Sequence, residues 1–218
     1  MLNATMLNPL DLSLYLVLDP DLCGSAEAMV RTARLAAENG ATVVQLRAPH
    51  WKKRQWLETA RALKAALAPL RVPLIINDQI DIALAVDAEG VHVGQADLPV
   101  AETRRLIGPR KILGVSVSDA AELAAVPDGV DYVGIGPVYP TGTKLDAAAA
   151  TGLPLFAQLV AAARWPVVAI GGINADNCAP LMQAGAKGVA VVSAICGQAD
   201  VARATLLLWE KIRSTRDA

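Results

Sequence analysis

Little in this chain of 218 residues supports covalent or redox chemistry. Its three cysteines, Cys23, Cys178 and Cys196, are widely spaced, odd in number and never form a C-x-x-C pair. That argues against a disulfide framework or a zinc-thiolate site and suits a reducing cytoplasm. No serine stands in a Gly-x-Ser-x-Gly setting and no cysteine has an activating neighbour, so a protein nucleophile has no support. There are only two histidines. His92 lies inside an apolar run, where a hydrogen-bonded core imidazole is the simpler account, and His50, between Pro49 and Trp51, reads as loop packing. With 20 basic against 21 acidic residues the net charge is -1, which offers no long-range attraction for nucleic acid or an anionic membrane. No uninterrupted run approaches the ~20 apolar residues of a membrane span, and the first residues lack the basic start and apolar stretch of a secretory signal. Small molecules held by local groups are the ligands that remain, and a homo-oligomer is left open.

What the chain does have is repetition. Short apolar, β-branched runs recur at 14–18, 42–46, 73–76, 91–93, 111–115, 130–135, 167–170 and 188–192, each closed by turn or polar residues. Between them lie Ala-, Leu-, Glu- and Arg-rich stretches with helical spacing, such as Trp56, Ala60, Leu63 and Leu67, or Ala202, Leu206, Trp209 and Ile212. The runs are nearly continuous rather than alternating, so both faces of the sheet are expected to be buried under helices. Eight such units predict an α/β fold, a single (β/α)8 TIM barrel over residues 14–214 with residues 1–13 as a lead-in. An open doubly wound sheet normally uses fewer strands, and Gly134-Ile135-Gly136 lacks the third glycine of a dinucleotide fingerprint. The four tryptophans, Trp51, Trp56, Trp165 and Trp209, read as packing residues.

Polar residues then gather just past the apolar runs, where a parallel barrel keeps its chemistry. Asp78 and Asp97 follow successive runs. Mg2+ usually takes one or two carboxylates beside substrate phosphate oxygens, and these two acids supply that set. Either could instead cap the helix that follows it, but their matched placement favours a shared cation. Thr141-Gly142-Thr143-Lys144 combines two hydroxyls, a permissive glycine and a point charge, as a diphosphate loop or an ordinary turn would. Gly171-Gly172 and Val192-Ser193 stand after runs 7 and 8, where many barrels bind a phosphate monoester through backbone N–H groups and a short helix N-terminus, although glycine pairs also make plain turns. Gln45, Arg47 and Ser116 complete a polar rim.

Gln45-x-Arg47, Asn77-Asp78, His92-Val93-Gly94-Gln95-Ala96-Asp97, Leu113-Gly114-Val115-Ser116, Gly136-Pro137-Val138-Tyr139-Pro140-Thr141-Gly142-Thr143-Lys144, Ile170-Gly171-Gly172-Ile173 and Val192-Ser193 occur in this order. Over roughly residues 14–195 the chain resembles the thiamine-phosphate synthase family. The resemblance implies a transferase that joins 4-amino-5-hydroxymethyl-2-methylpyrimidine diphosphate to 4-methyl-5-(2-phosphoethyl)thiazole or its carboxylated form, releasing pyrophosphate through a pyrimidine carbocation. It implies Mg2+ on Asp78 and Asp97, and the pyrimidine diphosphate on Gln45, Arg47, Asn77, Ser116 and Lys144. The thiazole phosphate falls to Thr141, Thr143, Gly172, Val192 and Ser193. Arg47, Ser116 and Lys144 carry the catalytic roles, and the loop at 144–150, with its alanine run, is the expected lid.

One departure stands out. Members of the family commonly carry a lysine two residues after the strand 2 arginine, whereas this chain has Pro49, with Lys52 and Lys53 further on. Those lysines either reach the diphosphate or face solvent. A thiazole tautomerase-like relative is the nearest rival reading, but it has no need of Asp78, Asp97 and Lys144. A ligand-sensing barrel without turnover is a second rival, and a phosphate-binding isomerase would want an acid/base pair that the rim does not offer.

Overall fold

Eight parallel strands close on themselves in the order of the sequence. The computed structural model describes residues 10–142 and 150–216. The strands are β1 (Leu14–Leu18), β2 (Val43–Leu46), β3 (Leu74–Asn77), β4 (Gly90–Val93), β5 (Ile112–Val117), β6 (Tyr132–Ile135), β7 (Val167–Ile170) and β8 (Gly188–Val191). β1 pairs with β2 through Tyr15 and Val43, and with β8 through Leu14 and Val189, so no edge remains within the sheet. The helices α1 (Pro20–Cys23), α2 (Ala26–Glu38), α3 (Lys53–Leu67), α4 (Ile80–Ala85), α5 (Val100–Ile107), α6 (Ala120–Ala125), α7 (Gly152–Ala162), α8 (Ala179–Gln183) and α9 (Val201–Arg216) fill the connections. This is the expected (β/α)8 barrel, with each strand within two residues of its expected limits at either end.

Alternation along the strands divides the apolar residues into two cores. Leu14, Leu16 and Leu18 join Val44, Leu46, Leu74, Ile76 and the helix faces in the outer core. Tyr15, Val17, Val43, Ile75, Tyr132, Val168 and Ala190 fill the barrel interior. In α3 the spacing is met: Trp56, Ala60, Leu63 and Leu67 are all buried. In α9 the deepest residues are Thr205, Leu208 and Ile212, while Ala202, Leu206 and Trp209 are only half-buried. That face is rotated from the expected one because Thr205 satisfies its hydroxyl on the carbonyl of Val201, 2.7 Å away, and can therefore be buried.

The floor of the barrel is closed by the residues that lead into β1. Leu12 and Ser13 are buried, and a Cβ at Gly188 would lie 1.7 Å from the Leu12 carbonyl oxygen. Arg216, at the end of α9, donates to the Ser13 hydroxyl and the Lys187 carbonyl, tying α9 to the segment before β1 and to the start of β8.

Small residues make room for large ones inside. Tyr132 is almost fully buried, and its ring occupies the space a side chain at Gly114 would need: a Cβ there would meet Tyr132 Cζ at 2.1 Å. Overpacking of this kind typically destabilises by ~1–3 kcal/mol. Gly114→Ala is therefore expected to lower the unfolding free energy by that amount, measured by urea denaturation. An unchanged midpoint would mean that the tyrosine does not fill the interior as described.

Candidate active site

Because inward-facing residues alternate, each strand delivers one last interior side chain to its C-terminal end. From Val43 the parity runs to Gln45, from Ile75 to Asn77, from Gly90 to His92, and from Ile112 through Gly114 to Ser116. Four consecutive strands thus end the interior on a polar group. Above them opens a cavity of about 430 Å³, within the range of small-molecule sites. Of the residues expected in the site, Gln45, Arg47, Asn77, Ser116, Thr141, Gly172, Val192 and Ser193 all line it. Asp78 and Asp97 do not, although their neighbours Asn77, Gly94, Gln95 and Ala96 do. Thr143, Lys144 and most of the expected lid at 144–150 lie outside the described residues.

The cavity floor holds a feature that motif reading alone passed over. Gln45 Nε2 donates to the Tyr15 hydroxyl at 2.8 Å, and the Tyr15 and Tyr132 hydroxyls are 2.7 Å apart. Tyr132 Oη lies 2.9 Å from His92 Nδ1, and His92 Nε2 lies 2.9 Å from Ser116 Oγ. His92 is hydrogen-bonded, as expected, but it is only half-buried and lines the cavity with both tyrosines. A Cβ at Gly134 would sit 3.3 Å from His92 Cε1, so the glycine clears space for the ring. Burial raises both phenols above their ordinary range; at Tyr132 the neighbouring Tyr15 adds to the effect. Both keep their protons at neutral pH. The signal for His92 was present in the sequence as strand parity: it occupies the same inward row as Ser116 and Gln45.

Neither aspartate caps a helix. α4 begins at Ile80 after Gln79, and α5 at Val100 after Pro99. Asp97 Oδ2 instead accepts the Gly94 N–H at 2.7 Å, which folds the turn after β4. Asp78 adopts the left-handed conformation with φ 57°, its N–H donates to the His92 carbonyl at 3.0 Å, and its carboxylate accepts from the Asn77 amide. The two acids follow adjacent strands, β3 and β4, which pair through Asn77 and His92. Among the described residues no three His, Cys, Asp or Glu gather as a metal cluster. A pair of hard, oxygen-only ligands suits Mg2+, which retains several waters, better than it suits zinc.

Across the mouth, Gly171 and Gly172 have φ values of 100° and 65°, and a Cβ on Gly172 would lie 2.6 Å from the Pro140 carbonyl oxygen. The pair lets the β7 loop pack against the loop after β6, beside Thr141. After β8 the expected short helix is a single turn: the N–H groups of Ile195 and Cys196 both donate to the Val192 carbonyl, at 3.0 and 2.8 Å. Lys53 pairs with Asp81 at 2.7 Å with both side chains about 60% exposed, and Lys52 is exposed. Neither lysine lines the cavity, where Arg47 is the single cation among the described lining residues.

Residues 14–195 match the family model described as thiamine monophosphate synthase. The chain belongs to that family. It is 54% identical over 200 residues to a thiamine-phosphate synthase of Laribacter hongkongensis, covering 92% of this chain and 95% of the relative. It is 49% identical to one of Xanthobacter autotrophicus, covering 97% and 100%. A thiamine phosphate pyrophosphorylase structure from Pyrococcus furiosus superimposes with a TM-score of 0.85 at 34% identity, covering 95% and 98%. Membership of the thiamine monophosphate synthase family extends through every strand of the barrel.

The left-handed Asp78 yields a stability prediction. Asn tolerates that conformation and keeps the side-chain oxygen, whereas Ala does not and loses roughly 1 kcal/mol. Asp78→Asn is expected to melt with the parent and Asp78→Ala a few degrees lower, by calorimetry. Equal melting of the two variants would remove the backbone constraint.

Proposed function

We propose that the chain is a thiamine-phosphate synthase that transfers the aminopyrimidinylmethyl group of the pyrimidine diphosphate to the nitrogen of a thiazole phosphate. The observation that carries this reading is the gathering of eight expected contact residues round one cavity on a chain 54% identical to a named synthase. Gln45, Asn77 and Ser116 would hold the pyrimidine on the polar floor, with Arg47 and Lys144 against the diphosphate. Thr141, Thr143, Gly172, Val192 and Ser193 would take the thiazole phosphate at the opposite side. Asp78 and Asp97 would hold Mg2+, which when bound supplies charge neutralisation for the diphosphate.

Arg47 and Lys144 stabilise the charge that develops on the leaving pyrophosphate, which departs with the electrons of the C–O bond. The electron-rich aminopyrimidine spreads the positive charge left at its methylene. The thiazole nitrogen then forms the new C–N bond with its lone pair, and a carboxylated thiazole also loses carbon dioxide. No protein nucleophile is needed, in keeping with a site that offers polar contacts rather than a triad. A cytoplasmic location is part of this proposal, in keeping with a reaction of small-molecule biosynthesis. Among the described residues no helix is long and apolar enough to cross a membrane.

Formation of thiamine phosphate from the two substrates is expected to require Mg2+ and to fall at least about 100-fold in Asp78→Asn and Asp97→Asn, the scale of losing a charge-stabilising group. Thiamine phosphate and pyrophosphate, quantified by chromatography, are the readout. Full turnover in excess EDTA would contradict the metal assignment, and absence of product at every Mg2+ concentration would contradict the reaction.

A further inference from the structure

We propose that Gln45, Tyr15, Tyr132, His92 and Ser116 form a hydrogen-bond relay of fixed polarity that presents the Ser116 hydroxyl proton to the cavity, as a donor to the pyrimidine. Tyr15, Tyr132 and His92 are positioning residues in it. The choice of ligand rests on the transfer reaction proposed above; the polarity follows from the contacts alone.

The direction is set at the Gln45 end. Its amide N–H donates to the Tyr15 oxygen. A phenol has one proton, and among the described residues the other hydrogen-bond contact of the Tyr15 hydroxyl is Tyr132. Aimed anywhere else, that proton would be a buried donor without an acceptor, a defect large compared with the net gain of an ordinary hydrogen bond. Tyr132 therefore receives from Tyr15 and must send its own proton to His92 Nδ1. A ring nitrogen that accepts carries no proton, so the imidazole proton stands on Nε2 and goes to Ser116 Oγ. Ser116 accepts from the ring and keeps its own proton for the cavity it lines. Burial holds both phenols protonated, so no link is lost to ionisation.

The chemical use of this polarity is recognition. A ring nitrogen of an aminopyrimidine has a lone pair to offer, and a hydroxyl that donates matches it. The reversed relay would place an oxygen lone pair against that nitrogen. Because Gln45 and Ser116 both reach the cavity and are joined through the three positioning residues, the two substrate contacts are set together rather than independently.

The chain's two histidines make the relay directly readable by nitrogen NMR on histidine-labelled, ligand-free protein. His50 is exposed and outside the cavity lining, so His50→Gln assigns the remaining ring to His92. The expected spectrum shows Nε2 protonated and Nδ1 unprotonated. In Tyr132→Phe the donor to Nδ1 is gone, and the two ring nitrogens are expected to move toward averaged shifts. In the same variant kcat/KM for the pyrimidine diphosphate falls about three- to tenfold while KM for the thiazole phosphate stays unchanged. A protonated Nδ1 in the parent overturns the relay, as does an unaltered ring spectrum in Tyr132→Phe. If that variant does not fold, the parent spectrum alone decides. The tautomer is read without substrate, so a protein that shows it yet fails to couple the substrates overturns the pyrimidine reading and leaves the polarity standing.

Discussion

Two tyrosine hydroxyls buried at the centre of a closed barrel must find partners among the few groups that strand geometry can bring to them, and the upper half of this interior is arranged around that requirement. Leaving one such group unpaired costs about 1–3 kcal/mol, a sizeable share of a domain's net stability. Tyr15 and Tyr132 meet each other, then Gln45 on one side and His92 on the other. Glycines at 114 and 134 admit the Tyr132 and His92 rings. The same residues that solve a burial problem thus form the floor of the cavity, and fold and site share one set of contacts.

Above that floor the electrostatics change. The floor is built from hydroxyls, amides and an imidazole, whereas charged groups stand higher: Arg47, Asp19 and Glu122 line the cavity, and Asp78 and Asp97 follow β3 and β4 outside its lining. An aminopyrimidine ring suits the first environment and a metal-bound diphosphate the second. The divided surroundings fit a substrate with one flat neutral end and one multiply charged end. The glycine pair and the β8 turn, on the far side, offer backbone N–H groups and a hydroxyl, and among the described residues no cation besides Arg47 lines the cavity. Lys53, bound to Asp81 in solvent, does not supply one.

Most of the architecture was legible because parallel strands buried on both faces leave continuous apolar runs, and all eight were visible. The α3 face was legible for the same kind of reason, since its stripe is purely apolar at its marked positions. The α9 face was not: Thr205 satisfies its own hydroxyl and enters the core, which hydrophobic spacing cannot show. For Asp78 the matched placement with Asp97 favours a cation over a cap, and its left-handed backbone and the start of α4 after Gln79 remove the cap. His92 was set aside as a core imidazole because it sits inside an apolar run. Strand parity puts it in the inward row with Gln45 and Ser116, a placement that its apolar neighbours conceal. The partners of Tyr15 and Tyr132 depend on contacts across the barrel, which a linear reading does not reach.

The most direct test of the account is a crystal structure of the protein with the pyrimidine diphosphate and Mg2+. The ring is expected on the floor, within hydrogen-bond reach of Ser116 and Gln45, with its diphosphate at Arg47 and the cation between Asp78 and Asp97. A ring bound away from that floor, or a cation that touches neither aspartate, would contradict the account.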